Sequence, residues 1–130
     1  MAFTMRFWHT VHETWPAHTT LARHVTRTVL RNLRRRLPAE EAGTLFEHLP
    51  RPLADLGDDP GIHPREPVLE SLGASGFLAV VAHENGLAPE DAERATMAVF
   101  RGLKALLPDP AVGAIGKRLQ PGLDALWLKA

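Results

Sequence analysis

Displacing the chain by 70 residues lays HVTRTVLRNLRRRLPAEEAGTLFEHLPRPLADL, from His24, onto RATMAVFRGLKALLPDPAVGAIGKRLQPGLDAL, from Arg94, without a gap. Identities on this diagonal include Thr26/Thr96, Val29/Val99, Arg31/Arg101, Leu33/Leu103, Leu37/Leu107, Pro38/Pro108, Gly43/Gly113, Leu49/Leu119, Leu53/Leu123 and Leu56/Leu126. Upstream, Phe7/Phe77, Val11/Val81 and Ala22/Ala92 keep the register. A chance diagonal does not hold so many apolar identities together with a shared proline, so the sequence reads as two copies. Copy one covers about residues 4–57, a linker 58–73, and copy two about 74–127. Each copy is shorter than an ordinary domain, and the whole chain, 130 residues and 14.3 kDa, has the size of one domain. The copies are therefore expected to share a single core.

Within a copy the apolar period is helical. Leu21, Val25, Val29, Leu33 and Leu37 recur every four residues, with Ala22, Thr26 and Leu30 beside them. Arg23, Arg27, Arg31, Arg34 and Arg35 fill the other half of the helical wheel. Thr19 or Thr20 is placed to cap this helix, and Pro38 ends it. Glu40 and Glu41 then fall in the first turn of the next helix, which runs to about Leu49, and Leu53 and Leu56 point to a short fourth helix ending at Gly57. In copy two, Pro89, Glu90 and Asp91 open the long helix and Pro108 closes it. Asp109-Pro110 reads as a cap followed by a first-turn proline, and Pro121-Gly122 breaks the chain before Leu123–Trp127. The stretch from Gly57 to Pro67, GDDPGIHPREP, is punctuated by proline and glycine, with Val68–Leu72 as a single helical turn after it. No alternating strand pattern appears. The expectation is an all-α, pseudo-twofold bundle of two similar four-helix copies, about eight helices in one domain.

The longest apolar run, Phe77–Ala82, has six residues against the ~20 needed to span a bilayer. The first residues, MAFTMRFWHTVHETW, lack the pattern of a secretory leader. The chain has no cysteine, hence no disulfide, thiolate nucleophile or zinc ribbon. A cytoplasmic location away from membranes is expected. The 15 basic and 15 acidic residues cancel but are unevenly placed. Residues 1–37 carry seven basic and one acidic (+6), residues 38–93 two and twelve (−10), and residues 94–130 six and two (+4). Such blocks can pair within the fold, pair between subunits or present a basic face to a partner.

The segments VLRNLRRRLPAEEAGTLFEHLPRPL and FLAVVAHENGLAPEDAERATMAVFRGLKALLP carry a resemblance. They are similar to the bacterial domain-of-unknown-function family 2267, whose pattern resembles tandem helical copies with paired Leu-Pro elements and an EDAERA element. The resemblance runs from Phe7 to Trp127 and implies an all-helical fold and a bacterial, cytoplasmic origin. It brings no established activity. Where the family pattern has an aromatic-rich loop, GDDPGIHPREP has no aromatic residue.

Few residues offer chemistry. His9 and Glu13, four apart, share a helical face and with His12 or His18 could ligate a metal. The same helix turns Phe7, Trp8, Val11 and Trp15 inward, which makes His9 and Glu13 a solvated pair and His12 a flank of the core. Gly73-Ala74-Ser75-Gly76 falls short of a nucleophile elbow, because Phe77 stands where the last glycine belongs, and Ser75 reads as a helix cap. The pairs Glu40/Glu41 and Glu90/Asp91 complement helix dipoles rather than serve acid–base catalysis. Gly113-Ala114-Ile115-Gly116-Lys117-Arg118 fails as a phosphate loop and reads as small residues for close helix packing.

Arg23, Arg27, Arg31, Arg34 and Arg35 are the candidate partner-binding residues, since no acid intervenes among them. They are expected either to pair with the acidic middle of the same or a neighbouring chain, or to dock an acidic partner or nucleic acid. The sequence thus leads to a non-enzymatic interaction or small regulatory module, without metal or cofactor, that binds a protein partner or itself. One alternative is a nucleic-acid-associated accessory protein using the arginine face. Another is a metal-dependent enzyme at His9, His12 and Glu13.

Overall fold

The computed structural model describes residues 2–57 and 73–130. These residues form eight helices. The first four are α1 (Ala2–Thr14), α2 (Thr19–Arg36), α3 (Ala39–Glu47) and α4 (Arg51–Gly57). The second four are α5 (Gly73–Asn85), α6 (Pro89–Leu106), α7 (Asp109–Arg118) and α8 (Leu123–Lys129). The fold is all-α, with no strand among the described residues. Helix lengths of 13, 18, 9 and 7 residues are followed by 13, 18, 10 and 7. No described helix is long and apolar enough to cross a membrane. The single turn expected at Val68–Leu72 lies outside the described residues, as does the linker up to Leu72.

Helix ends follow the prolines, with three departures from expectation. Leu37 and Leu107, each before a proline, are held extended (ψ 145° in both), which ends α2 and α6. Thr19 and Thr20 do not cap α2. Both are already helical, and the N-cap is His18, whose Nδ1 accepts the Thr20 N–H at 3.4 Å, as a Ser or Thr oxygen would. Asp109 does not cap α7 either. Pro108 takes the cap with an extended ψ of 154°, so Asp109 enters the first turn and acts through the helix dipole. Ser75 is likewise the third residue of α5, because the helix begins two residues upstream at Gly73. Gly86, with φ 62°, closes α5 in the left-handed conformation that a β-carbon disfavours, and the Leu87 N–H reaches back to the Ala82 carbonyl at 2.9 Å.

The helices bury one contiguous core that draws on both halves of the chain. Positions aligned by the 70-residue offset share their burial. Phe7 and Phe77, Val29 and Val99, Leu33 and Leu103, and Leu53 and Leu123 are all fully enclosed. The packing crosses between halves, with α1 lying along α6 and α5 packing on α2 as well as on α6. Gly102 permits the first of these contacts, since a β-carbon there would stand 2.8 Å from the Phe7 ring. Hydrogen bonds mark both crossings. Arg101 Nη1 donates to Thr14 Oγ1 at 3.3 Å. Thr28 Oγ1 accepts from Asn85 Nδ2 at 3.2 Å and donates to Glu84 Oε1 at 3.3 Å. Helices α2 and α6 cross centrally, and α3 rests on α7, where Glu41 and Arg118 pair at 3.5 Å. Trp127 of α8 is edge-on to Phe100 and donates its indole N–H to the Val112 carbonyl at 3.0 Å.

Candidate functional site

The five arginines that one face of α2 brings together have three different surroundings. Arg23 and Arg27 are exposed and make no ion pair among the described residues, and with Thr20 and His24 they line a shallow depression of about 270 Å³. Arg34 lies over the Phe46 ring of α3, 4.0 Å from its centroid, a cation–π contact. Arg31 and Arg35 are half-buried, and neither is free. Arg36, outside the expected set, stacks over Phe77 of α5 and donates to the Gln120 side chain ahead of α8. The uninterrupted row expected from the wheel is therefore divided. Its freely projecting part is Arg23 and Arg27, on the N-terminal half of α2.

The histidine cluster does not gather. His9 Nε2 and Glu13 Oε2 lie 3.6 Å apart, one turn along α1, with side chains 76% and 61% exposed. His12 is exposed nearby, and His18 is spent on capping α2. Among the described residues no three His, Cys, Asp or Glu side chains converge as metal ligands would. Of the glycines, Gly116 does lie against the Trp127 indole, where a β-carbon would be 3.0 Å from Cδ1, but Gly113 and Gly43 have nothing within 4 Å. The close-packing expectation holds for Gly116 and fails for Gly113, which faces solvent.

Two concavities occupy the angles between consecutive helices. Between α1 and α2 a groove of about 280 Å³ is lined by Trp8, His9, Val11, His12, Ala17, Thr19 and Ala22. Between α5 and α6 a larger groove of about 600 Å³ has Leu78, Ala79 and Ala82 as its floor, with Ser75, Pro89, Glu90, Glu93 and Arg94 around its edge. The offset of 70 pairs Trp8 with Leu78, His9 with Ala79, His12 with Ala82, Thr19 with Pro89 and Ala22 with Ala92. The α5–α6 groove was legible as a sequence signal put to another use. Phe77–Ala82 is apolar at six successive positions, which excluded a membrane span, but a short helix apolar on more than one face has more than one surface to cover. Phe77, Val80 and Val81 are buried, whereas Leu78 and Ala82 are half-exposed and Ala79 is exposed.

A further polar cluster closes the C-terminal helix. Lys104 Nζ donates to the carbonyls of Trp127 (2.7 Å) and Ala130 (3.0 Å) and lies over the Trp127 ring. Burial pulls its pKa below the ordinary lysine value, and the two carbonyls, which favour the ammonium, act the other way.

These features lie within a region already known as a family. The model described as "Uncharacterized conserved protein (DUF2267)" matches residues 4–126. The chain belongs to this family. The match takes in both grooves and both long helices of the DUF2267 chain. Comparison with curated proteins gives no match.

Proposed function

We propose that this DUF2267 protein is a non-enzymatic interaction module, a small regulatory partner whose working surface is the α5–α6 groove. The observation that carries this reading is the make-up of the groove. Its floor is apolar and small-residued, its rim holds the exposed carboxylates Glu90 and Glu93, and it opens on solvent between two helices. Such a channel accepts a row of apolar side chains from a partner and is poorly furnished for chemistry, since Ser75 is its one hydroxyl and no histidine lines it. The same reading takes the chain as bacterial, cytoplasmic and a single domain. It also takes the two halves as pseudo-twofold related, which the matched burial at offset positions supports.

Ala79 is exposed on the groove floor, so Ala79→Arg blocks the channel without entering the core. Tagged parent protein should retain a protein partner from a nuclease-treated lysate of its source cell, and the variant should lose it. Equal retention by both, or retention by neither, would reject the groove as the working surface.

A second reading rests on Arg23 and Arg27, which project with His24 and have no acidic residue in the first turn of their helix. If they bind nucleic acid, Arg23→Ala with Arg27→Ala should weaken binding uniformly across sequences and make its salt dependence shallower, by about one unit of slope per lost phosphate contact. Binding unaltered by the double substitution would remove this reading.

A further inference from the structure

We propose that the occupant of the α5–α6 groove is the α1–α2 face of a second copy of this chain. The inference rests on the interaction-module reading and names its partner. Three observations point to it. First, the two concavities share four positions of the 70-residue alignment, Trp8/Leu78, His9/Ala79, His12/Ala82 and Thr19/Pro89, and both lie in the angle between a 13-residue and an 18-residue helix. Second, charge is inverted between them. Glu93 stands where the other face has Arg23, and Glu90 where it has Thr20, with Arg27 one turn beyond Arg23 and all four charged side chains exposed. Third, bulk is inverted as well. The floor of the large groove has Leu78 and Ala82 where the small one carries Trp8 and His12, so one face is hollow where the other is filled.

Trp8 is held edge-on against Phe7 and is half-exposed, an aromatic side chain of the kind that supplies contact area at little entropic cost. The minority charges are opposite too, since Arg94 stands on the acidic rim and exposed Glu13 on the basic side. The contact joins unlike faces, so each molecule offers one of each, and its charge pairs lie at the rim, where they set partner choice and salt dependence.

The experiment is a charge exchange read by sedimentation. The proteins are the parent, R23E/R27E, E90K/E93K and an equimolar mixture of the two variants, with circular dichroism confirming that each is folded. The parent should self-associate at low ionic strength and dissociate as salt is raised. Each double variant alone should be monomeric, because both of its faces then carry one sign. The mixture should regain association, because each variant supplies the sign the other lacks. Ala79→Trp, which leaves the charges alone and fills the hollow, should also be monomeric. A monomeric parent, double variants that associate as the parent does, or a mixture that stays monomeric would each overturn the proposal. If the parent is monomeric while Ala79→Arg still loses a different captured protein, the second copy is the wrong occupant and the groove stands. If that capture fails as well, both readings fall.

Discussion

At the scale of single residues, the same substitution is expected to have opposite effects in different helices. Gly102 lies in α6 under Phe7 and Val11, and a β-carbon there would be 2.8 Å from the ring and 3.1 Å from Val11 Cγ2. Gly102→Ala should cost about 1–3 kcal/mol through overpacking, outweighing its gain in helix propensity. Gly113 and Gly43 meet nothing within 4 Å, so Ala there should add up to ~1 kcal/mol each. Thermal melts of the three variants, one falling and two rising, check this. The sequence shows Gly113 and Gly116 as one small-residue pair, yet positions three apart differ by about 60° around a helix, and only the neighbour Trp127 determines which is enclosed. Lys104 gives a prediction in pH. Its folded pKa is lowered by burial, so between that value and 10.5 the folded chain binds fewer protons than the unfolded one and its contribution to stability rises with pH. Denaturant titrations of the parent should show that alkaline gain and Lys104→Met should lack it, with no tyrosine in the chain to titrate in the same window. The variant should also lose about 1 kcal/mol for each of two carbonyl hydrogen bonds.

At the scale of elements, the stripes of α2 and α6 were legible because one face of each is core, but the breadth of that face was not. Thr28 and Asn32 are buried in α2, with Asn32 Nδ2 donating to the Thr28 carbonyl at 2.8 Å. On the wheel Asn32 falls between Leu21 and Val25, a polar residue within the stripe, and Thr28 lies about 20° beyond Leu21, where α5, packing on α2 in addition to α4, widens the enclosed arc. Arg31 and Arg35 fall within about 60° of Thr28 on the wheel, which brings them to the margin of that arc and breaks up the expected arginine row. Helix α1 is held chiefly by its contact with α6. A 13-residue helix is marginal by itself in water, so its order depends on Phe7 and Val11, both enclosed. Phe7→Ala should cost about 3–5 kcal/mol and loosen α1, shifting the emission of Trp8 and Trp15 to longer wavelength before the rest of the chain unfolds. A single transition with unchanged Trp emission up to the midpoint would show that α1 is not separately sensitive to this side chain.

At the scale of the molecule, helix order and length were read from proline positions and apolar spacing. The exchange of α1 onto α6 and of α5 onto α2 was not, because a periodic stripe specifies that a face is covered and is silent about which helix covers it. That exchange carries the last prediction. Residues 1–57 alone would leave the α6-facing side of α1, with Phe7 and Val11, open to water, together with the side of α2 that α5 covers. Residues 73–130 alone would uncover Phe77 and Val81 of α5 and the Gly102 face of α6. Each half is also of a size at which a helical core is marginal by itself. Expressed separately, both should be largely unfolded by far-ultraviolet circular dichroism, and equimolar mixing should restore the helical signal in a concentration-dependent way, since folding has become bimolecular. Gly102→Ala in the second piece should weaken that reassembly, and Gly113→Ala should not. If either half folded as a stable monomer, the contacts between halves would be a docking of finished units, and the shared core would be a consequence of folding rather than its cause.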